Sequence, residues 1–127
     1  MSYTESLQTY AEAWNERDSS IRLEKLASIV HPGVVLYDPQ NQMSGAVMIA
    51  KFIAKVHGSL AFDRLEITSE LQKHEHGLWV RYTWGIWLTE QTRAETEGMD
   101  VVEFDKFGKI RQIISFMGKL PERTRGE

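Results

Sequence analysis

Residues 98–117 read GMDVVEFDKFGKIRQIISFM, and their side chains alternate with a period of two on both sides of a turn. Asp100, Val102 and Phe104 share one face of a first strand, residues 105–109 form the turn, and Ile110–Met117 is the second strand. Residues 65–71 and 78–88 alternate in the same way. The second half of the chain therefore predicts an antiparallel meander.

The first half carries its apolar residues at helical spacing instead. Leu7, Tyr10 and Trp14 fall on one face of a helix over residues 3–17, and Ser2 followed by Glu5 is typical of the capping box that starts a helix. The order of the two halves predicts an α+β fold, with helices packed on one face of a curved sheet.

Two more helices are predicted before the meander. One runs to about Val30 and ends at His31-Pro32-Gly33, because proline and glycine do not easily extend a helix. Residues 34–38 then form a short strand, followed by a polar loop at residues 40–42. The third helix runs from about residue 45 to Val56, with Gly58 as its C-terminal cap.

Length and composition limit the possible functions. The 127 residues suit a single domain, 1–127, in which residues 119–127 form a flexible tail. The net charge is 15 − 18 = −3 with scattered basic residues, which argues against nucleic acid as a partner. The absence of cysteine excludes disulfides, thiol nucleophiles and thiolate-bound metals.

The sequence carries no targeting signal that we recognise. Residues 1–5 lack the basic and apolar regions of a signal peptide, and no apolar run approaches the roughly 20 residues that span a bilayer. We therefore expect a soluble, cytoplasmic protein without a membrane partner.

Two aspartates stand out because alternation places each on an apolar strand face. Asp38 shares its face with Val34 and Leu36, and Asp100 shares its face with Val102 and Phe104. A buried carboxyl has a raised pKa, so the pair are candidates for acid–base chemistry. The alternative is that either aspartate is hydrated at a strand end, which the Pro39 after Asp38 favours.

Four stretches of the chain carry a resemblance to a known family. They are residues 10–18 (YAEAWNERD), residues 37–39 (YDP), residues 44–52 with Ser44-Gly45, Ile49 and Phe52, and residues 98–110 (GMDVVEFDKFGKI). In these the chain resembles the ketosteroid isomerase and SnoaL-like polyketide cyclase group of the nuclear transport factor 2-like (NTF2-like) superfamily. The fold that this implies is a cone-shaped α+β barrel, in which three helices pack in a strongly curved antiparallel sheet around an apolar pocket.

The resemblance also implies catalytic residues. Asp38 falls where the isomerases keep their general base, Asp100 where they keep a protonated aspartic acid, and Tyr10 where a tyrosine donates to the developing oxyanion. In the cyclases, an aspartate on the strand of Asp100 is expected to be the acid or base. Tyr10 also lies on the core stripe of its helix, so a packed core tyrosine is the alternative.

These residues predict a small-molecule, isomerase-like enzyme. It would transfer a proton on an apolar carbonyl or enol substrate without any cofactor. A SnoaL-like polyketide cyclase, and a non-catalytic ligand-binding or dimeric module on the same fold, remain alternatives.

Aromatic and apolar residues provide the candidate pocket lining for an apolar small-molecule ligand. The same side chains could instead be ordinary core. The candidates are Trp14, Tyr82, Trp84, Val102, Phe104 and Phe116.

The opposite face of the strand at residues 78–88 carries Trp79 and Trp87. Such a face is too apolar to leave in water, and a homodimer through it is the simplest explanation. His74 and His76 lie two residues apart near a turn, but no third ligand is close in sequence, so no metal site is predicted.

Overall fold

The computed structural model describes residues 2–74 and 77–124. Its helices are α1 (Tyr3–Asn15), α2 (Ser19–Ile29) and α3 (Ala46–Ser59). The N-cap bond of the predicted capping box is present at α1, where the Glu5 amide donates to Ser2 Oγ at 3.1 Å, and Ser2 Oγ also donates to Glu5 Oε1 at 3.1 Å. Asp18 caps α2 by accepting from two backbone amides.

The described strands form one sheet whose pairing is mixed but mostly antiparallel. They are β1 (Val30–Tyr37), β2 (Gln42–Ser44), β3 (Phe62–Ile67), β4 (Gln72–Lys73), β5 (Trp79–Leu88), β6 (Thr96–Phe104) and β7 (Ile110–Met117). The order is β2-β1-β7-β6-β5-β3, with β4 also paired to β5, and only β1 and β7 run parallel. The predicted α+β class is confirmed.

The boundary between α2 and β1 differs from the prediction. The helix ends at Ile29, and His31-Pro32-Gly33 lies inside β1 rather than between elements. Pro32 has no amide to donate, and the strand accommodates it because the β1–β7 register shifts between Val30 and Val35.

The region from β2 to α3 also departs from the sequence prediction. Gln42 and Met43 belong to β2, which pairs with β1, so the polar loop is shorter than expected. Gly58 lies within α3 and is not its cap. The helix ends at Ser59 and its C-cap is Leu60, whose extended backbone still lets its amide donate to the Val56 carbonyl at 3.2 Å.

The core lies between the helices and the inner face of the sheet. Both halves of the chain contribute residues with no more than 1% exposure: Leu7, Leu26, Ile29, Val34, Ile49, Ile53, Val102, Phe104, Ile110 and Ile113. Within the described residues, we find no helix with the length and apolar character needed to cross a bilayer.

Candidate active site

A cavity of about 240 Å³ lies between α1, α3 and the inner face of the sheet. Its wall is mainly apolar, with a few polar groups that converge from α1, β1, β6 and β7. The lining residues are Tyr10, Trp14, Leu36, Asp38, Phe52, Val56, Leu60, Leu65, Trp84, Ile86, Thr96, Asp100, Ser115 and Met117. A small apolar cavity with few convergent polar groups is the usual form of a small-molecule site.

Asp100 is the most deeply buried acid of the cavity, with 5% of its surface exposed. Tyr82 lies opposite it on β5 and donates its hydroxyl to Oδ2 at 2.8 Å, while the Trp84 indole N–H donates to Oδ1 at 2.8 Å. Burial raises the pKa of Asp100 from 3.8 to about 6, and Ser115, Tyr82 and Trp84 oppose that rise. The carboxyl can therefore exchange a proton near neutral pH.

Tyr10 and Trp14 reach the cavity from one face of α1, because residues four apart are neighbours on a helix. Burial raises the pKa of Tyr10 well above its usual range, the Asp100 charge raises it further, and the Trp14 N–H lowers it. That N–H is buried and has no hydrogen-bond partner of standard geometry among the described residues. Its effect on Tyr10 is therefore weaker than a full hydrogen bond.

The backbone of Trp14 is held by a partly buried polar network. Arg22 donates to His57 Nδ1 at 3.2 Å, and His57 Nε2 lies 2.7 Å from the Trp14 carbonyl oxygen. Since arginine can only donate, His57 accepts at Nδ1 and donates its Nε2 proton to the carbonyl. Burial lowers the pKa of His57, which favours this neutral form.

The Trp14 ring is fixed by aromatic neighbours. Phe52 meets it edge to face at 6.0 Å between ring centroids, and Phe62 lies tilted at 6.4 Å. The position of the indole is therefore set by both polar and aromatic contacts.

Asp38 lies just beyond the end of β1 and is only half-buried. Its Oδ1 accepts from the amides of Gln40 at 2.9 Å and Asn41 at 2.6 Å, and the Asn41 side-chain amide lies 3.1 Å from both oxygens. These bonds fold the β1–β2 turn around the carboxyl. Asp38 thus lines the same cavity as Asp100 while its oxygens are occupied by its own loop.

The SnoaL-like domain family matches residues 7–113, which span both halves of this fold and the cavity residues other than Ser115 and Met117. The chain belongs to the SnoaL-like family. Among curated proteins, none matches its sequence significantly.

Solved structures similar to this SnoaL-like domain share its architecture. One, from Agrobacterium tumefaciens, is described as "a putative isomerase of the SnoaL-like family"; it is 24% identical, with a TM-score of 0.82 over 92% of this chain and 97% of that one. A "putative polyketide cyclase" from Sinorhizobium meliloti is 14% identical, with a TM-score of 0.68 over 87% and 93%. A steroid delta-isomerase from Pseudomonas aeruginosa is 18% identical, with a TM-score of 0.63 over 93% and 80%.

Together these similarities show the NTF2-like fold. The descriptions of these three structures name two kinds of isomerase and a polyketide cyclase, and fold alone does not decide between such activities.

The structure brings together the three residues expected to be catalytic. Asp38, Asp100 and Tyr10 all line the one cavity, although they come from the end of β1, from β6 and from α1. Their catalytic roles remain predictions.

The expected pocket lining is only partly present. Trp14 and Trp84 line the cavity. Tyr82, Val102 and Phe104 do not: they are buried in the core, where Tyr82 donates to Asp100 and Phe104 stacks on Tyr3 at 4.1 Å.

Phe116 lies on the outer face of the sheet and is 55% exposed. The β6–β7 register shifts between Glu103 and Phe104, so the inward positions of β7 change from even to odd after Ile110. Ser115 and Met117 therefore face the cavity in place of Phe116.

Sequence reasoning also missed residues from α3 and its end. Phe52, Val56 and Leu60 cover the cavity, and helical spacing could have identified the first two. Thr96 was missed because β6 begins two residues before the predicted strand.

The described part of the chain contains no group of three or more side chains suited to hold a metal ion. His74 is exposed, and His76 lies outside the described residues. The residues of the cavity also contain no histidine, so its chemistry would depend on the carboxyls and the neutral donors.

Proposed function

We propose that this SnoaL-like protein is a small-molecule enzyme that transfers a proton on an apolar carbonyl or enol substrate without a cofactor. The observation that carries this proposal is the Asp100 carboxyl, buried in an apolar cavity that Tyr10 also lines. A carboxyl whose pKa is raised to about 6 is well matched to general acid–base catalysis near neutral pH.

The proposed reaction moves charge within the cavity rather than creating it. Asp100 takes a proton from the carbon next to the substrate carbonyl, and the electron pair of that C–H bond passes to the carbonyl oxygen as an enolate. Tyr10 donates a hydrogen bond to this oxygen, where such a donor lowers the barrier most. Return of the proton from Asp100 to a different carbon completes a double-bond migration.

This assignment gives Asp100 the base role that the resemblance implies for Asp38. Asp100 accepts two hydrogen bonds, which suits a carboxylate and therefore a base better than a neutral donor. Asp38 accepts four hydrogen bonds from its own turn, three of them at Oδ1, so fewer of its lone pairs are free to accept a substrate proton than at Asp100.

The size of the cavity supports a small substrate. Its volume of about 240 Å³ is below the roughly 300–1,000 Å³ that is common for drug-sized ligands. We therefore assign a substrate of one or two rings rather than a four-ring skeleton.

A cyclase is the second candidate, because the resemblance to the cyclases gives the aspartate on this strand an acid or base role. The same Asp100 would then remove the proton that starts an intramolecular ring closure. A product analysis distinguishes the two, since only a cyclase joins two carbons of one substrate. A ligand-binding module without catalysis is the remaining alternative.

The test is an absorbance assay of double-bond migration in cyclohex-3-en-1-one, a one-ring β,γ-unsaturated ketone. We expect turnover by the wild type, a loss of roughly 100-fold or more in Asp100→Asn and a loss of similar order in Tyr10→Phe. The rate should rise with pH through about 6 as Asp100 loses its proton. The matched control is Asp63→Asn, since Asp63 is an exposed acid on β3, and this variant should keep the wild-type rate.

Other outcomes of this assay would change the assignment. A greater loss in Asp38→Asn than in Asp100→Asn would restore Asp38 as the base. Binding of the ketone without turnover in the wild type would favour the ligand-binding module.

A further inference from the structure

Trp14 carries the one buried side-chain N–H among the described residues that has no hydrogen-bond partner. Its residue is 7% exposed, and its ring lines the cavity. A buried tryptophan normally finds a partner for this N–H, because leaving it unpaired costs stability. An unpaired donor at a ligand cavity therefore indicates a bond that is completed only when the cavity is occupied.

The candidate acceptor for this N–H is the Tyr10 hydroxyl oxygen. The two residues lie four apart on α1, and the N–H of Trp14 already acts on the Tyr10 oxygen without forming a hydrogen bond of standard geometry. Tyr10 itself is 3% exposed, and its hydroxyl forms no hydrogen bond with another described residue. The Trp14 N–H and the Tyr10 hydroxyl are therefore two neighbouring donors at the cavity, and neither forms a hydrogen bond of standard geometry with the described residues.

We propose that Trp14 is a positioning residue that directs the Tyr10 hydroxyl at a ligand oxygen. When Tyr10 donates its proton to a carbonyl or enolate oxygen, its own oxygen becomes a stronger acceptor, and the Trp14 N–H completes a two-bond relay. Hydrogen bonds in such a chain polarise and strengthen one another. With the Trp14 N–H on one side of the Tyr10 oxygen, the hydroxyl proton turns to the other side, into the cavity.

The surroundings of Trp14 are arranged to keep the indole in place. His57 binds its carbonyl oxygen at 2.7 Å, and Phe52 and Phe62 contact its ring. Because Trp14 is fixed at both its backbone and its ring, its N–H can set the direction of a neighbouring hydroxyl that has no other partner.

This inference rests on the proposed function, because it requires a ligand whose oxygen accepts from the Tyr10 hydroxyl. Its test measures binding rather than turnover. The probe is acetophenone labelled with ¹³C at its carbonyl, a one-ring ketone of suitable size. Hydrogen bonding to the carbonyl oxygen lowers its infrared stretching frequency. We expect a lowered frequency for the bound ketone in the wild type, a smaller lowering in Trp14→Phe and none in Tyr10→Phe.

The double variant separates the relay from simple packing. Trp14→Phe should weaken acetophenone binding roughly fivefold in the wild-type background, and it should have no further effect when Tyr10→Phe is already present. Trp87→Phe, the same change on the outer face where Arg64 covers the ring, should leave binding and frequency unchanged. An equal effect of Trp14→Phe in both backgrounds would show that Trp14 acts by packing, and would overturn the proposal.

Two further measurements distinguish loss of the Trp14 N–H from disruption of the fold by the substitution. Replacement of Trp14 by β-(3-benzothienyl)alanine keeps the ring shape and removes only the N–H, so it should reproduce the frequency change of Trp14→Phe. The protein has four tryptophans, and the indole signal of Trp14 should move on ketone binding in a nitrogen-15 spectrum. An unmoved Trp14 signal with ketone bound, or no binding of acetophenone at all, would also overturn the relay.

The results distinguish this inference from the proposed function. If the carbonyl frequency of the bound ketone depends on Trp14 but the protein shows no turnover, the relay is supported and the proposed enzymatic activity is rejected. Turnover that depends on Asp100 but not on Trp14 supports the enzyme and rejects the relay.

Discussion

Burial raises the pKa of Asp100 from 3.8 to about 6, so the folded state holds its proton over a pH range in which the unfolded chain has lost it. The stabilising effect of this group is complete below pH 3.8 and is lost as the pH rises to about 6. The difference corresponds to about 3 kcal/mol of unfolding free energy above that pH. Asp100 is thus a residue whose charge weakens the fold.

We therefore expect Asp100→Asn to be more stable than the wild type above pH 6, by up to about 3 kcal/mol. Asparagine is neutral, and it can accept from Trp84 while donating to Tyr82. The gain should shrink toward pH 4, as measured by urea unfolding at several pH values.

Asp105 provides the control with the opposite sign. Hydrogen bonds from the Lys109 and Phe107 amides lower its pKa, so its stabilising effect is present above the ordinary aspartate pKa and is lost as the pH falls. Asp105→Asn should not stabilise the protein at neutral pH. An Asp100→Asn variant that is less stable than the wild type at every pH would contradict this account of the site.

At the scale of single residues, alternation along the strands predicted several of the side chains that line the cavity. It placed Asp100 and Trp84 inward from sequence alone, and the resemblance added Tyr10. It could not place Phe116, because the shift of register near Phe104 reverses the faces of β7 and leaves no mark in the composition of the strand.

At the scale of the elements, β6 passes unusually close to the strands on either side at Gly98. A Cβ atom there would overlap the Phe116 carbonyl oxygen and Cζ2 of Trp84. Gly98 is paired with Trp84 in the β5–β6 register, so the absence of its side chain makes room for the indole that binds Asp100.

Gly98→Ala should therefore lower the unfolding free energy by about 3 kcal/mol or more, because a backbone oxygen cannot move away cheaply. It should also displace Trp84 from Asp100, which a change in the Trp84 indole signal would report. The control is Gly58→Ala in α3, where nothing lies within 4 Å of the added Cβ. Alanine there should raise stability by about 0.5–1 kcal/mol, and similar urea midpoints for both variants would contradict the packing argument.

The elements themselves were predicted with uneven success, for physical reasons. The helical stripe of α1 and the alternation of β5 and β6 are strong local signals, and these elements lie close to where they were expected. His31-Pro32-Gly33 normally ends a helix or strand, but Val30 and Val35 on either side of it pair with β7, which is far away in sequence, and so keep it in β1. The local sequence pattern of residues 30–37 carries no information about their pairing with β7.

At the scale of the whole molecule, the outer face of the sheet carries one more large apolar side chain than the sequence suggested, because Phe116 lies there. Trp79 and Trp87 are half-buried there, and the register places Met99, Val101 and Phe116 on the same face. Pairing through this face would cover the apolar surface, and the helices on the other face would leave the cavity inside each subunit.

We accordingly predict a homodimer through this face, and Phe116→Asp should dissociate it. Phe116 is 55% exposed, so the change costs little in one subunit but buries two like charges in the dimer. Phe107→Asp is the matched control, since Phe107 is 78% exposed at the β6–β7 turn. Sedimentation equilibrium should give about twice 14.7 kDa for the wild type and for Phe107→Asp, and about 14.7 kDa for Phe116→Asp. A wild-type protein that sediments as a monomer at micromolar concentration would exclude this dimer, whereas dissociation by both variants would place the interface nearer the turn than the centre of the face.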